Sequence, residues 1–185
     1  MPRFLLLVLF LLLGFGWLRP VDELFDLLLR VSPDQVTIWT SHCGDMIAYL
    51  VALATVVYLQ YRRPDQLPRF LCLLVGQHLL THGCKYLFQT PRPLQAYLVG
   101  GYAYPSGHTM MAACLYGYLA YHARGMTRSL LLTLPLLVAW SRVALGHHWL
   151  SDVLGSLVLA RLWLSLCVGP DPAGGGDQHH PPGDQ

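Results

Sequence analysis

Residues 129–168 read SLLLTLPLLVAWSRVALGHHWLSDVLGSLVLARLWLSLCV, and their apolar pattern indicates the architecture of the chain. Two apolar runs, Ser129 to about Leu145 and Leu150 to Val168, are separated by a short polar joint. A helix that crosses a bilayer needs about 20 apolar residues, and both runs approach that length. No barrel-like alternation of apolar and polar residues is present. The segment therefore predicts two membrane-spanning helices with a tight connection.

Four further apolar runs repeat this pattern. They are Phe4–Leu18, Asp45–Tyr61, Arg69–Gln89 and the residues from Pro105 to about Arg124. We predict an all-α, polytopic membrane helix bundle with about six transmembrane helices, because a backbone in hydrocarbon must form its own hydrogen bonds. The first run lacks a clear cleavage site, which favours an uncleaved span over a signal peptide. The amphipathic segment Val21–Arg30, with its acidic residues opposite its apolar side, is predicted to lie along the membrane surface.

The composition agrees with a membrane protein. Of the 185 residues, 54% are apolar and 12% are charged, whereas soluble domains average about 25% charged residues. Disordered and fibrous chains are excluded, and a net charge of +2 without a basic block excludes a nucleic-acid partner. The five cysteines show no metal spacing and are expected to be small buried hydrophobes. Residues 1–168 are predicted to form one membrane-embedded domain, and residues 169–185 a disordered tail.

Positive charges outside the candidate site predict an orientation. Cytoplasmic joints are enriched in Lys and Arg. Such charges precede the first run and flank the second and fourth joints: Arg3, Arg62, Arg63, Arg69, Arg124 and Arg128. These markers agree on a cytoplasmic N-terminus, so the first, third and fifth joints are expected to face outward.

A second set of charges lies at the outward ends of the third to sixth runs. It consists of Lys85, Arg92, Arg142 and Asp152, with His108, His147 and His148 beside them. A charge near membrane depth costs about 2.5–3.5 kcal/mol by insertion scales, so such residues are functional candidates by default. Three cations, imidazoles and one carboxylate form the set expected of an anion site with an acid–base or nucleophilic pair.

Two short motifs in this set suit an anion. Lys85 and Arg92-Pro93 place a point charge and a planar fork at one helix end, and the fork can hold two phosphate oxygens. Pro105-Ser106-Gly107-His108 opens the fourth run, where free N–H groups and the helix dipole favour an anion.

A third motif, from Ser141-Arg142 to Asp152, supplies a His–Asp pair. The four-residue spacing of His148 and Asp152 predicts that both lie on one helix face, so that the carboxylate holds one ring nitrogen. His147 competes for this role, but it lies five residues before Asp152 and is expected to point off that face.

Together these motifs resemble the type 2 phosphatidic acid phosphatase superfamily of lipid phosphatases, which is related to vanadium haloperoxidases. Its three signature blocks match Lys85 to Pro93, Pro105 to His108 and Ser141 to Asp152, in the correct order. The resemblance implies six spans with an outward-facing site. One position departs from the family, which often has a further basic residue before the Arg-Pro pair, where Thr90 and Pro91 stand here.

The resemblance also implies a role for each matched residue. His148 would attack phosphorus and form a phosphohistidine, Asp152 would orient its ring, and His108 would protonate the leaving oxygen and then activate water. The non-bridging oxygens would be held by Lys85, Arg92, Arg142 and the backbone of Ser106 and Gly107. No metal or other cofactor is expected, because Asp152 is the only acid between Asp65 and Asp171.

Several polar residues receive a structural interpretation instead. His78 and His82 are expected to be hydrogen-bonded within the bundle, and Arg161 to snorkel or pair there. The tyrosines near the site, Tyr97, Tyr102 and Tyr104, are expected to line the pocket mouth or to belong to an interface belt.

The sequence thus predicts a membrane enzyme that removes the terminal phosphate from a lipid phosphate or diphosphate. By resemblance, the candidate substrates are undecaprenyl diphosphate, phosphatidylglycerophosphate, phosphatidic acid and lipid A. The expected location is a bacterial inner membrane, with the site facing the periplasm and the oligomeric state left open. The alternatives are a non-catalytic membrane protein that binds or transports an anion in the same pocket, and a haloperoxidase-like enzyme with bound vanadate.

Overall fold

The computed structural model describes residues 2–93 and 100–168, and within these ranges all regular structure is helical. Eight helices follow one another along the chain: α1 Arg3–Gly14, α2 Arg19–Leu29, α3 Gln35–His42, α4 Met46–Arg62, α5 Leu67–Phe88, α6 Gly107–His122, α7 Gly125–Ala144 and α8 Leu150–Cys167. The predicted tail at 169–185 and the predicted pocket residue Tyr97 lie outside the described residues.

The apolar runs predict most of these helices to within a few residues. The exceptions are at the ends of runs: α1 stops at Gly14, four residues before the predicted Leu18, and α7 begins at Gly125, four residues before Ser129. Helix α3 was not predicted, because the polar and apolar residues among its eight positions follow no regular spacing. Its start is fixed by Asp34, whose side chain accepts a 2.7 Å hydrogen bond from the Thr37 N–H.

Helix α6 lies at the centre of the bundle and packs against α5, α7 and α8. Ten of its residues are buried, so the helix is apolar around its whole circumference, as a central helix must be. Large apolar side chains on the outer helices are exposed, among them Leu50, Leu53, Leu136 and Leu137. These faces are suited to lipid rather than to water.

Two helices are long and apolar enough to cross a membrane. They are the continuous stretch Gln35–Arg62, which contains α3 and α4, and α8. A third candidate is the pair α1 and α2, which is bent by 73°. Helices α5 and α7 have 22 and 20 residues but carry more polar side chains, several of which belong to the site described below.

Asp22 in helix α2 faces the opposite way from the prediction. Asp22 was predicted to face away from the apolar side of the helix and toward water, yet it is 1% exposed. Its carboxylate accepts hydrogen bonds from the Ser151 N–H and hydroxyl, both 2.7 Å long. Leu24, Leu27 and Leu28 face outward and are exposed. Asp22 therefore turns toward the protein, because the start of α8 offers donors there, whereas Glu23 on the same side of the helix remains exposed.

Tyr104 fixes the connection between α5 and α6 to the core. It is fully buried, and its hydroxyl donates a 2.6 Å hydrogen bond to the Phe10 carbonyl. A Cβ atom at Gly155 would overlap its ring, so α8 needs glycine at the point where the two approach. The expectation that Tyr104 lines the pocket mouth is therefore wrong, whereas Tyr102 remains partly exposed.

The cysteines only partly follow the prediction. All five are free thiols, and only Cys114 is buried, whereas Cys72 is exposed. Cys72 lies on an outward face of α5, where a small apolar side chain is compatible with lipid contact.

Candidate active site

The predicted site residues meet at one end of the bundle. Helices α5 and α7 end there, and α6 and α8 begin there, which places Lys85, His108, Arg142 and Asp152 in the terminal turns of four helices. Arg92 and His148 lie in the connections that follow α5 and precede α8. The chain thus gathers side chains that are up to 67 positions apart, from Lys85 to Asp152.

The His148–Asp152 pair is present, but not on a helix face. His148 precedes α8, which begins at Leu150, and its Nδ1 lies 3.2 Å from the Asp152 Oδ2. The same carboxylate oxygen accepts a 2.8 Å hydrogen bond from the Trp149 N–H and so caps the start of α8. The predicted partner is therefore correct, and the geometry that joins the two residues is a helix cap.

A tight turn places His148 in this position. Gly146 has a φ of +66°, a left-handed conformation that glycine adopts without strain. The Arg142 carbonyl then accepts hydrogen bonds from the N–H groups of both His147 and His148, at 3.1 and 3.2 Å. The turn ends α7 and directs the His148 ring into the protein, where the residue is 2% exposed.

Arg92 determines the tautomer of His148. The Arg92 Nη1 lies 3.2 Å from the His148 Nε2, and a guanidinium can only donate. Nε2 must then accept, which leaves the ring hydrogen on Nδ1, where it is donated to Asp152. The imidazole therefore presents an unprotonated Nε2 to the cationic side of the site.

The electrostatic environment keeps this ring neutral. Burial is the largest cause that places the pKa of His148 well below its usual value, and the charges of Arg142, Arg92 and Lys85 lower the pKa further. These effects also indicate that the three cations lie near one imidazole. His147 shares the trend: burial, followed by Arg142 and Arg92, lowers its pKa to about 4.

Arg92 and Lys85 shape the connection that leads to α6. The Lys85 Nζ donates to the carbonyls of Tyr102 and Ala103, at 2.6 and 3.2 Å. The Arg92 Nε donates to the Gly101 carbonyl at 3.1 Å, and Nη1 also donates to the His147 carbonyl at 2.8 Å. Counting the described residues alone, these bonds leave the ammonium with one unused hydrogen and the Arg92 Nη2 with two, so both groups can still donate to an anion.

Arg142 is held in place by a residue that the sequence did not indicate. Its Nη1 donates a 2.7 Å hydrogen bond to the hydroxyl of Ser41 in α3, and the side chain is 5% exposed. The Arg142 Nε is buried and has no hydrogen-bond partner among residues 2–93 and 100–168. A buried donor of this kind suits an anionic ligand, because an unsatisfied charged group is costly.

The backbone at the start of α6 is less free than predicted. The Ser106 N–H donates to the Asp152 carbonyl at 3.3 Å, and the Ser106 carbonyl accepts from the Ser156 hydroxyl at 3.0 Å. Ser106 thus ties α6 to α8 and was expected instead to hold an anion. The Gly107 N–H forms no hydrogen bond within the described residues, so it is a better candidate donor to an anion than the Ser106 N–H.

His108 faces a second carboxylate, that of Asp45. Its Nε2 is 3.6 Å from the Asp45 Oδ2, and both residues border a cavity of about 130 Å³. His78 and His82 line the same cavity, with ring centroids 4.4 Å apart. They were expected to be hydrogen-bonded inside the bundle, and the structure instead places them against each other beside His108. Within the described residues, no three His, Cys, Asp or Glu side chains form a metal-binding group.

Three partners were missed: Asp22, Ser41 and Asp45. Each precedes the signature motifs by 40 residues or more, since the first block begins at Lys85. Only Asp45 carried a usable signal, because an acid at the outward start of a predicted span lies at the same level as His108.

The comparisons with known proteins agree with this site. The model of the PAP2 superfamily matches residues 46–169, which contain α4 to α8. The chain is 35% identical over 105 residues to phosphatidylglycerophosphatase B of Bacillus subtilis (strain 168), covering 50% of this chain and 52% of that protein. It is 42% identical over 57 residues to the putative undecaprenyl-diphosphatase YbjG of Escherichia coli (strain K12), covering 30% of this chain and 28% of that protein. The matches thus span about half or less of these relatives.

Two solved structures are similar over most of the chain. A transmembrane PAP2 type phosphatidylglycerolphosphate phosphatase from Bacillus subtilis gives a TM-score of 0.77 with 26% identity, covering 89% of this chain and 93% of that one. Aquifex aeolicus LpxE gives a TM-score of 0.62 with 21% identity, covering 77% and 91%, which is a likeness of fold. The family match extends over more than half of the chain and includes all the site helices, and on this basis the protein belongs to the PAP2 superfamily.

Proposed function

We propose that this protein is an integral membrane lipid phosphatase that hydrolyses the terminal phosphate of a lipid phosphate or diphosphate through a phosphohistidine intermediate. The observation that carries the proposal is the unprotonated Nε2 of His148, which is held by Asp152 through Nδ1 and faces Arg92. An oriented neutral imidazole beside cationic groups is the arrangement required for attack on a phosphoryl group.

The reaction would proceed in two balanced steps. The His148 Nε2 forms a bond to phosphorus while the bond to the leaving oxygen breaks, and protonated His108 gives its proton to that oxygen. His108, now neutral, then takes a proton from water as the water oxygen attacks phosphorus and the P–N bond breaks. Asp152 stabilises the imidazolium character that develops on His148. The Asp45 carboxylate, 3.6 Å from His108, and the negative charge of a bound phosphate would together favour protonated His108 against the opposing effects of burial and Arg142.

Charge on the transferring phosphoryl group would be stabilised by the side chains of Lys85, Arg92 and Arg142 and by the Gly107 N–H. Lys85 and Arg92 retain unused donors, and Arg142 has a buried Nε without a partner among the described residues. Three cations near one phosphoryl group can supply the stabilisation that metal ions supply in other phosphatases. We therefore infer metal-independent turnover, and activity that is unchanged in excess EDTA would support it.

The relatives suggest the substrate class. Their names point to phosphatidylglycerophosphate and, more distantly, to undecaprenyl diphosphate. We infer a bacterial inner-membrane enzyme with six membrane crossings and a site that faces the periplasm, as the distribution of arginines predicts. Residues 94–104 form a short connection between the first two motifs, which leaves little protein for a large headgroup and favours simple phosphates and the diphosphate carrier.

Purified enzyme in detergent, assayed for phosphate release from a panel of lipid monophosphates and diphosphates, tests the proposal. His148→Ala is expected to lose about 10³-fold or more of the activity, whereas Arg124→Ala, at the opposite end of the bundle, is expected to retain it. Rapid acid and alkaline quenches of the wild type should reveal an acid-labile, base-stable phosphoenzyme. Full activity in His148→Ala would contradict the mechanism, and binding without turnover on every lipid would indicate the anion-binding alternative.

A further inference from the structure

A cavity of about 350 Å³ lies between α6, α7 and α8 at the end of the bundle away from the active site. We call it the distal groove and define it by Gly117, Leu132, Leu136, Leu157 and Arg161. Arg161 follows Asp152 by nine residues in α8, which is about 13 Å along the helix axis. A ligand held by Arg161 would therefore be separate from a substrate at His148.

The shape of the groove follows from side-chain size. Small residues form its floor. Ala113 and Ala160 are buried and do not reach into the gap between the helices, and Gly117 is in close contact with Leu164, whose Cδ1 would lie 2.6 Å from an added Cβ. Leu132 and Leu136 form one wall and are 47% and 57% exposed. The groove is therefore open on the outer surface of the bundle, where the surrounding medium is the acyl chains of the bilayer.

The charge of the groove is positive. Arg161 is exposed, and within the described part of the chain its guanidinium has no hydrogen-bond or ion-pair partner. Arg128 and Tyr121 line the same groove and each already has a partner, and no Asp or Glu is among the described residues that line it. A guanidinium within a membrane helix is costly unless an anion or water receives it, and the proposed chemistry makes no use of Arg161.

We propose that the distal groove binds one anionic phospholipid, whose phosphate is held by Arg161 with Arg128 nearby and whose acyl chain lies along the leucines of the walls. An apolar slot that opens laterally and carries a positive charge at one end complements a lipid with a single anionic headgroup. This lipid is not a substrate, because the groove contains no nucleophile. The proposal rests on the groove alone and does not depend on the reaction assigned to His148.

The test is native mass spectrometry of the full chain released from detergent micelles that contain equal amounts of phosphatidylglycerol and phosphatidylcholine. Excess inorganic phosphate is included so that the catalytic site does not retain the anionic lipid. The wild type is expected to retain phosphatidylglycerol in preference to phosphatidylcholine. Arg161→Ala should reduce that retention by about five-fold, the effect of removing one interfacial arginine. Arg161→Lys should restore most of it, because the charge is kept.

Arg124→Ala is the matched control, since Arg124 is exposed at the same end of the bundle but does not line the groove. It should retain phosphatidylglycerol as the wild type does. Phosphatase activity of Arg161→Ala, measured in the same detergent, shows that the variant is folded. Equal retention of the two lipids by the wild type would overturn the proposal, as would unchanged phosphatidylglycerol retention in Arg161→Ala.

Discussion

Burial and three neighbouring cations keep the proposed nucleophile His148 in its neutral form, and this determines how the activity should depend on pH. Its pKa lies well below the usual value, chiefly because of burial and further because of Arg142 and Arg92. A nearby positive charge disfavours protonation, so the removal of one should raise the pKa. We expect the acidic limb of kcat/KM to lie below pH 6.5 in the wild type and to move to higher pH in Arg92→Gln.

A pH–rate profile of both proteins with one lipid phosphate measures this shift, because kcat/KM reports the pKa values of the free enzyme. Arg124→Gln removes an equal charge far from His148 and should leave the limb in place. A limb that moves to lower pH in Arg92→Gln would contradict the assignment of that limb to His148.

At Asp152, a substitution can remove the negative charge of the side chain while keeping the hydrogen bond that caps α8. Asp152→Asn keeps an oxygen that can accept the Trp149 N–H, which caps α8 in the wild type. The amide cannot stabilise an imidazolium, and its NH₂ group favours the wrong tautomer of His148. We expect kcat to fall by about 10⁴-fold, as for the equivalent change in a Ser–His–Asp triad. The assay is single-turnover phosphate release, with circular dichroism as the check that the helices are intact; a loss below tenfold would refute the orienting role.

The sequence predicts the site residues that belong to the three signature motifs, because those motifs occur in a fixed order and contain residue types suited to phosphate chemistry. His148, Asp152 and Arg92 fall into this class and contact one another. Ser41 does not, because a lone serine 101 positions from Arg142 gives no signal of the contact. The helix-face argument for His148 and Asp152 was wrong, since a four-residue spacing also arises when a residue just before a helix meets its first turn.

Helix α2 and the residues that follow it hold the start of α8 in place. Asp22 receives two hydrogen bonds from Ser151, the guanidinium of Arg19 lies 4.2 Å from the Trp149 ring centroid, and the Val31 N–H donates to the Ala144 carbonyl at 3.0 Å. These contacts surround the turn that carries His148. Helix α2 thus supports the segment that performs the proposed chemistry.

Asp22→Ala tests this support. The change leaves the Ser151 N–H and hydroxyl buried without their acceptor, so we expect a loss of about 1–3 kcal/mol in stability. Asp22→Asn should lose much less stability, because its amide carbonyl can still accept a hydrogen bond from Ser151. Thermal unfolding in detergent compares the two variants, and kcat at a permissive temperature reports the His148 turn. A melting temperature of Asp22→Ala equal to that of the wild type would show that the contact is unimportant.

Helix positions were predictable wherever an apolar run was long. Helices α4, α5, α6 and α8 begin and end within about two residues of the predicted runs, because solvation by lipid demands continuous apolar sequence. Helix α2 was located correctly, but its Asp22 faces inward, because tertiary hydrogen bonds to Ser151 outweigh solvation of the carboxylate. A hydropathy pattern says which side chains are polar and does not say which partner they find.

The arginines lie mainly in two groups, one at each end of the helix bundle. Helix α4 begins beside Asp45, which contacts His108, and ends at Arg62, so its 17 residues separate the site from the arginine pair by about 25 Å. Arg124 and Arg128 lie near the same end as that pair, at the start of α7. The cations at the other end are those of the site, together with Arg19 and Arg30, which pair with Glu23 and Asp26. Positive charge therefore predicts orientation only after the site residues have been set aside.

Cysteine labelling tests this orientation directly. In a background with the five native cysteines replaced, Gly100→Cys introduces a thiol near the site, and Asp65→Cys introduces one at the arginine end; both positions are exposed. A side chain fits at Gly100, since no atom lies within 4 Å of an added Cβ. We expect a membrane-impermeant maleimide to label Gly100→Cys in intact cells and Asp65→Cys only after permeabilisation. The reverse pattern would place the site in the cytoplasm, and the substrate would then have to come from the inner leaflet.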